Sequence, residues 1–312
     1  MADGSPLDGF RDECGVVGIW GHPEAASLCT LALHALQHRG QEAAGVVSSE
    51  GRGLHAWRGR GLVSEVFRHK ENLETLVGSR AIGHVRYSTA GDSGEANVQP
   101  LVVRYSGGSL AVAHNGNWVN ARSIRDELEG EGAIFQGTSD TEVLVHLIAR
   151  SRQRSFLNRV VDALARVQGA GSLVLLSERM LVASRDPRGF RPLVLGTLPG
   201  GAWVVASETP ALDLLGATFV RDVEPGEVVV VDDDGLSAFH PFPRAEHKAC
   251  VFEYVYFARP DSRLWGRDVY SVRRRCGERL ALEQPAVADI VIPVPDSGVA
   301  AALGYAHTLG IP

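Results

Sequence analysis

Glu13-Cys14-Gly15-Val16-Val17-Gly18-Ile19-Trp20 places a thiol at the head of a short apolar run rich in β-branched residues. A run of this length, bounded by Gly21-His22-Pro23, reads as a buried strand with Cys14 at its first position. Residues 1–13 are mostly polar, include Pro6 and two glycines, and carry no apolar periodicity, so they bury too little surface to order themselves. Cleavage after Glu13 would give Cys14 both a thiol and a free α-amine. An α-amine titrates at about 7.7–8.0 and a thiol at about 8.5, so part of the amine is free base near neutral pH. It can take the thiol proton and later hand it to a leaving group, acting as general base and then general acid. The plain alternative is that Cys14 is a small buried hydrophobe. The rest of the chain decides between them.

The 312 residues suffice for about two domains, and 45% hydrophobic content fits a globular protein. Thirty-one basic against 37 acidic residues leave a net charge of −6, so there is no global basic field for nucleic acid. No run approaches about eighteen apolar residues, and no basic region precedes an apolar one at the start, which predicts neither a membrane span nor a secretion signal and a cytoplasmic location. Cys14, Cys29, Cys250 and Cys276 are too scattered for a disulfide framework, and no pair has zinc-finger spacing.

Outward from the first strand, the apolar spacing over residues 25–38 predicts a helix that stops at Gly40. Strands are predicted over 44–48, 53–57, 80–85, 101–105 and 109–114, with a helix-like piece over 63–76. Helices follow over 121–129, 140–151 and 155–167, then strands over 172–177, 180–184, 193–196 and 203–207. Helices set between blocks of antiparallel-looking strands predict an α+β layered domain rather than a βαβ wind. Asp232-Asp233-Asp234-Gly235 after an apolar strand reads as a hairpin turn. It lacks the Gly-Thr cradle of a phosphoribosyl-pyrophosphate loop and the alternating acids of a calcium loop. The polar, proline-containing stretch 241–248 predicts a linker and a boundary near residue 245. Beyond it, strands over 251–257 and 289–293 with a helix over 269–282 between them would begin a parallel α/β sheet.

Four more motifs accompany Cys14: His38-Arg39-Gly40-Gln41-Glu42, Gly83-His84-Val85-Arg86-Tyr87-Ser88-Thr89, the expected turn His114-Asn115-Gly116, and Gly137-Thr138-Ser139-Asp140-Thr141-Glu142 at a helix N-cap position. Taken singly, each reads as a turn, a cap or a solvated charge. Together they supply a thiol, a planar cation for an α-carboxylate, a carboxylate for an α-ammonium, and amide donors for an oxyanion. Hydrolysis of an amino-acid amide needs these groups.

In this order, ECGVVGI, LQHRGQE, GHVRYSTAG, HNGN and GTSDTE resemble the class II glutamine amidotransferases, a family of N-terminal nucleophile hydrolases, and the resemblance covers the chain from Cys14 to Pro312. Within that class, ASRDPRGFRPLVLG, ASET, CVFEYVYFARPDS and PVPDSG resemble the members that pass ammonia to phosphoribosyl pyrophosphate, giving 5-phosphoribosylamine at the first committed step of purine synthesis. The resemblance implies a propeptide over 1–13, a four-layer αββα glutaminase domain over 14–245, and the start of an α/β phosphoribosyltransferase domain over 246–312 that should continue past Pro312. It implies Cys14 as nucleophile, Arg86 on the glutamine carboxylate, Asp140 on its ammonium, and Asn115 with the Gly116 N–H as oxyanion hole. It gives Arg39 a supporting part in the glutamine pocket. It also makes Cys250 one ligand of a 4Fe-4S cluster whose other ligands lie beyond residue 312, with Mg²⁺ accompanying the pyrophosphate there and a homo-oligomeric assembly. The rival readings are another class II enzyme, such as a glucosamine-phosphate synthase, and a catalytically silent domain that keeps the fold for assembly or regulation.

Overall fold

The computed structural model describes residues 14–87 and 94–312. The expected leader and its cleavage point, and the Ser88-Thr89 end of one motif, lie outside the described residues.

The chain opens with β1 (Gly15–Trp20), α1 (Ala25–Ala35), β2 (Ala43–Ser49), β3 (Leu54–Arg60), the short helices α2 (Val63–Val66) and α3 (Lys70–Glu74), and β4 (Arg80–Arg86). Next come β5 (Leu101–Tyr105), β6 (Gly108–Trp118), α4 (Ala121–Gly130), α5 (Asp140–Arg150) and α6 (Phe156–Leu164). Then follow β7 (Gly169–Ser177), β8 (Leu181–Arg185), β9 (Val194–Thr197), β10 (Trp203–Ala206), α7 (Thr209–Leu215), β11 (Thr218–Asp222), β12 (Val228–Asp232) and β13 (Gly235–Phe239). Two antiparallel sheets result, β11-β9-β10-β1-β4-β2-β3 and β13-β12-β8-β7-β6-β5.

Strand alternation sorts the side chains of these sheets into three buried layers. Val17 and Ile19 of β1 pack with Cys29, Leu33 and Leu36 under α1 and α7. Val16 and Trp20 point the other way and meet Ala111, Ala113, Val174 and Leu176 of the second sheet. On that sheet's outer face, Val112, Leu173 and Leu175 pack with Leu144, Ile148 and Val160 of α5 and α6. Helices, sheet, sheet and helices therefore stack as the expected α+β four-layer αββα arrangement. Each fully buried aliphatic side chain contributes about 1.5–3 kcal/mol to holding these layers together.

Several local expectations are corrected. The helix-like piece over 63–76 is two short helices, α2 and α3. His114-Asn115-Gly116 is not a turn but lies within β6, paired residue for residue with β7 as His114 to Leu173, Asn115 to Ser172 and Gly116 to Gly171. The Asp-Gly hairpin forms as expected, with Asp232 opposite Gly235.

The C-terminal stretch differs most. Residues 251–257 are helical, with a π-turn over Glu253–Phe257 closed by the Ala258 N–H on the Glu253 carbonyl at 3.0 Å. Glu253 and Phe257 are buried while Val251, Phe252, Val255 and Tyr256 are exposed, a four-residue spacing that marks one helical face. No strand forms over 289–293. Ile290 and Ile292 are exposed there, and a strand needs a ladder partner that the described residues do not provide. The remaining helices, α8 (Val269–Glu283) and α9 (Gly298–Leu309), cross closely: a Cβ on Gly277 would stand 1.8 Å from the Ala301 carbonyl oxygen.

Candidate functional site

The register of β1 against β4 brings the thiol and the cation to one end of the first sheet. Gly15 pairs with Val85, so one step further Cys14 falls opposite Arg86. By the same alternation, Cys14 shares a face with Val16 and Trp20, and Arg86 shares one with His84 and Ile82. That face looks into the space between the sheets, where β1 and β4 lie against β6. Asn115 follows Ala111 and Ala113 by even steps and faces the same space from the opposite sheet. Cys14, Arg86 and Asn115 are all buried, and the Cys14 thiol donates to the Tyr87 carbonyl oxygen at 3.7 Å.

Asn115 is fully enclosed, and neither its Nδ2 nor its Oδ1 has a hydrogen-bond partner among the described residues. Buried amides are nearly always satisfied, so an orphaned one points to a ligand that completes it. Its neighbour Gly116 adopts φ +152°, and a Cβ there would stand 2.1 Å from the Ala170 carbonyl oxygen, so only glycine fits. The backbone donors two residues to either side face the free edge of β6: the His114 N–H donates to Gln99 Oε1 at 2.8 Å and the Trp118 N–H to Asp140 Oδ2 at 2.8 Å. By alternation the Gly116 N–H lies between them, past the last β5 pair at Leu101 and Val112.

Asp140 opens α5 directly after Ser139, whose side chain caps the helix by accepting the Thr141 N–H at 3.3 Å. A carboxylate at that end complements the helix dipole. Its bond to Trp118 N–H ties α5 to the end of β6, beside Asn115 and Gly116.

His84, quoted in the strand-end motif but given no role there, fastens the two sheets at this point. Its Nε2–H donates to the His114 carbonyl oxygen at 3.1 Å. Burial pushes His84 down to about 3, and the neighbouring Arg86 and His114 add to the effect against the bond to His114, so the ring is neutral at pH 7.

Arg39, expected to support the glutamine pocket, makes its contacts at the base of the first sheet, just before the Gly40 that lies against Arg86. It is buried with its guanidinium on Glu208 and Glu253, partners that the sequence reading missed. Glu208 also binds His38 Nε2 at 2.8 Å, the Arg259 N–H at 2.9 Å and the Ser262 hydroxyl. Burial would raise Glu208, but Arg39 and His38 outweigh it and hold the carboxylate well below its usual range. A lone acid in the apolar run Val251-Phe252-Glu253-Tyr254-Val255 was the signal available for Glu253.

Cys250 is partly exposed, and its N–H donates to the Phe190 carbonyl oxygen at 3.1 Å. Among the described residues, no group of three or more His, Cys, Asp or Glu side chains could hold a metal ion. A 4Fe-4S cluster takes about four thiolates, so these residues do not by themselves fit one. A cavity of about 610 Å³ lined by Trp118, Leu173, Arg185 and Phe242 opens on the helix side of β7, away from the face that carries Asn115.

Residues 84–214 match the model of a glutamine amidotransferase domain. The chain is 59% identical over 302 residues to the chloroplastic amidophosphoribosyltransferase of Vigna aconitifolia, covering 97% of this chain and 62% of that protein. It is 48% identical over 307 residues to the amidophosphoribosyltransferase of Bacillus subtilis, covering 98% and 64%. Along nearly its whole length the chain is similar to amidophosphoribosyltransferases.

The solved structure of the allosteric regulatory enzyme of purine biosynthesis superposes with a TM-score of 0.93 at 48% identity, over 96% of this chain and 64% of that one. The B. subtilis glutamine phosphoribosylpyrophosphate amidotransferase complexed with ADP and GMP gives a TM-score of 0.91 at 47% identity, over 96% and 65%. The chain therefore spans less than two thirds of the amidophosphoribosyltransferases it matches.

Proposed function

We propose that this chain carries the glutaminase site of an amidophosphoribosyltransferase, which releases ammonia from glutamine for transfer to phosphoribosyl pyrophosphate. The observation that carries the reading is Asn115, a sealed amide with no partner among the described residues, facing the same enclosed space as Cys14 and Arg86.

In this mechanism the leader is removed and the Cys14 α-amine accepts the thiol proton. The thiolate attacks the side-chain amide carbon, and the charge that develops on the carbonyl oxygen is met by Asn115 Nδ2 and the Gly116 N–H. Collapse breaks the C–N bond, the α-ammonium returns its proton to the departing nitrogen as ammonia, and a thioester remains on Cys14. Water, activated by the same amine, hydrolyses the thioester to glutamate and frees the thiol. Arg86 grips the α-carboxylate in a forked contact, and Asp140 holds the α-ammonium.

In the whole protein the products are 5-phosphoribosylamine, glutamate and pyrophosphate, with Mg²⁺ accompanying the pyrophosphate. Cys250 is kept as one ligand of a 4Fe-4S cluster, to be tested by iron and sulfide content of anaerobically prepared full-length protein. Cytoplasmic location and self-association belong to the same proposal. Among the described residues, no helix is long and apolar enough to cross a membrane.

Cys14→Ala decides the catalytic part. Glutamine hydrolysis should vanish, and intact mass of the active wild-type protein should lack residues 1–13. Residual glutaminase in the variant, or an active protein that retains Glu13, rules the mechanism out.

A further inference from the structure

Three buried charged side chains that take no part in the chemistry meet on one spot. Arg39 in the 3-10 turn (Gln37–Arg39) that follows α1, Glu208 ahead of α7 and Glu253 in the π-turn are all fully buried and joined by ion pairs. Arg191 Nη1 adds a second cation on Glu253 Oε1 at 3.3 Å. Charges this deep are costly to desolvate, and removing one partner of such a cluster is far more damaging than replacing the cluster as a whole. The arrangement therefore holds its members in one geometry.

The chain that leaves Arg39 runs straight to the carboxylate clamp. Gly40 crosses the strand end so closely that a Cβ would stand 2.6 Å from Arg86 N and Arg86 C. Two residues later the Glu42 N–H donates to the Arg86 carbonyl oxygen at 3.1 Å, and Ala43 then pairs with Arg86 in the ladder. The Arg86 backbone is thus set by the segment 40–43. The side chain that anchors the start of this segment is gripped by an acid 214 positions further along the chain.

We propose that Glu253 is a positioning residue for glutamine binding: by holding Arg39 it seats Gly40 and Glu42 on Arg86 and so fixes the direction of the carboxylate clamp. This rests on the glutaminase reading for its kinetic consequence, but the positioning has a readout of its own. Glu253 touches neither Cys14 nor Asn115, so its loss acts on substrate grip rather than on bond breaking. In KM and kcat, that separates it from a residue of the oxyanion hole.

The test uses full-length Glu253→Gln, which keeps the shape and removes the charge, with Glu253→Asp as the milder change should the first fail to fold. Hydrogen exchange of the Glu42 amide reports its bond to Arg86 without reference to activity. The expected result for Glu253→Gln is at least about tenfold faster exchange at Glu42 and about tenfold higher KM for glutamine, with kcat within about threefold of wild type. Glu253→Asp should move both in the same direction by less. Exchange and KM within twofold of wild type in the folded variants, or a fall in kcat at unchanged KM, overturns the proposal. A wild-type protein that hydrolyses no glutamine would sink the glutaminase reading, while the exchange at Glu42 would still decide the positioning role.

Discussion

Asn115 leaves a donor and an acceptor inside the fold with no partner among the described residues, each at a cost of about 1–3 kcal/mol. In the proposed mechanism that partner arrives with the substrate. Asn115→Ala should lower kcat for glutamine hydrolysis by about a hundredfold to a thousandfold and leave KM within a few-fold. Steady-state kinetics check this, and a rise in KM at constant kcat would assign Asn115 to substrate binding instead. In the proposed mechanism Arg86 binds the other end of the substrate. A lysine in its place keeps the charge but loses the fork, so Arg86→Lys should raise KM for glutamine by at least tenfold with a smaller change in kcat. Titration with glutamine under pre-steady-state conditions separates the two effects.

At the scale of single elements, β6 shows how a strand is bent to a purpose. It runs unbroken from Gly108 to Trp118, yet Gly116 departs to φ +152° against the Ala170 carbonyl oxygen. Any side chain at that point meets both a forbidden backbone region and a steric wall. Gly116→Ala should cost about 2–4 kcal/mol, read as a lower urea midpoint at unchanged slope. The motif His114-Asn115-Gly116 reads as a turn because Asn-Gly pairs favour positive φ. The structure keeps the positive φ but spends it inside a ladder. The opposite mismatch occurs at 251–257, where β-branched and aromatic residues favour a strand. There the demand that Glu253 and Phe257 both be buried selects a helical turn, since residues four apart share a helical face.

At the scale of the whole molecule, the two sheets are fastened by a neutral histidine. His84 binds the proton only near pH 3 when folded but near its ordinary value of about 6.5 when unfolded, so below that value the unfolded chain takes up the proton first. The stability this group contributes is complete above about pH 6.5 and declines as pH falls toward 3. Between pH 7 and pH 5 the loss amounts to about 2 kcal/mol. His146, pushed down mainly by burial, adds in the same direction, so the comparison must be with a variant. His84→Gln can still donate to the His114 carbonyl oxygen and should flatten the fall in urea midpoint between pH 7 and 5. An unchanged slope would mean that His84 does not carry the pH dependence. Glu208 acts in another window: its carboxylate is held low, so its contribution is present above about pH 4.5 and disappears only in stronger acid.

The alternation in Glu13-Cys14-Gly15-Val16-Val17-Gly18-Ile19-Trp20 by itself determined that Cys14 shares a face with Val16 and Trp20, because side chains on a strand repeat every two residues whatever the strand packs against. The resemblance of the motifs to the class II glutamine amidotransferases likewise marked Arg86, Asn115, Gly116 and Asp140 as candidates for binding a carboxylate, an oxyanion and an ammonium. Tertiary structure alone decided that the shared face looks into the space between two sheets, that Asn115 enters it from the far side, and that Arg39 pairs with Glu208 and Glu253. Local periodicity records which side of an element is apolar. It holds no information on which distant carboxylate meets a buried guanidinium, because that pairing is settled by the desolvation of charges brought together only when the layers close.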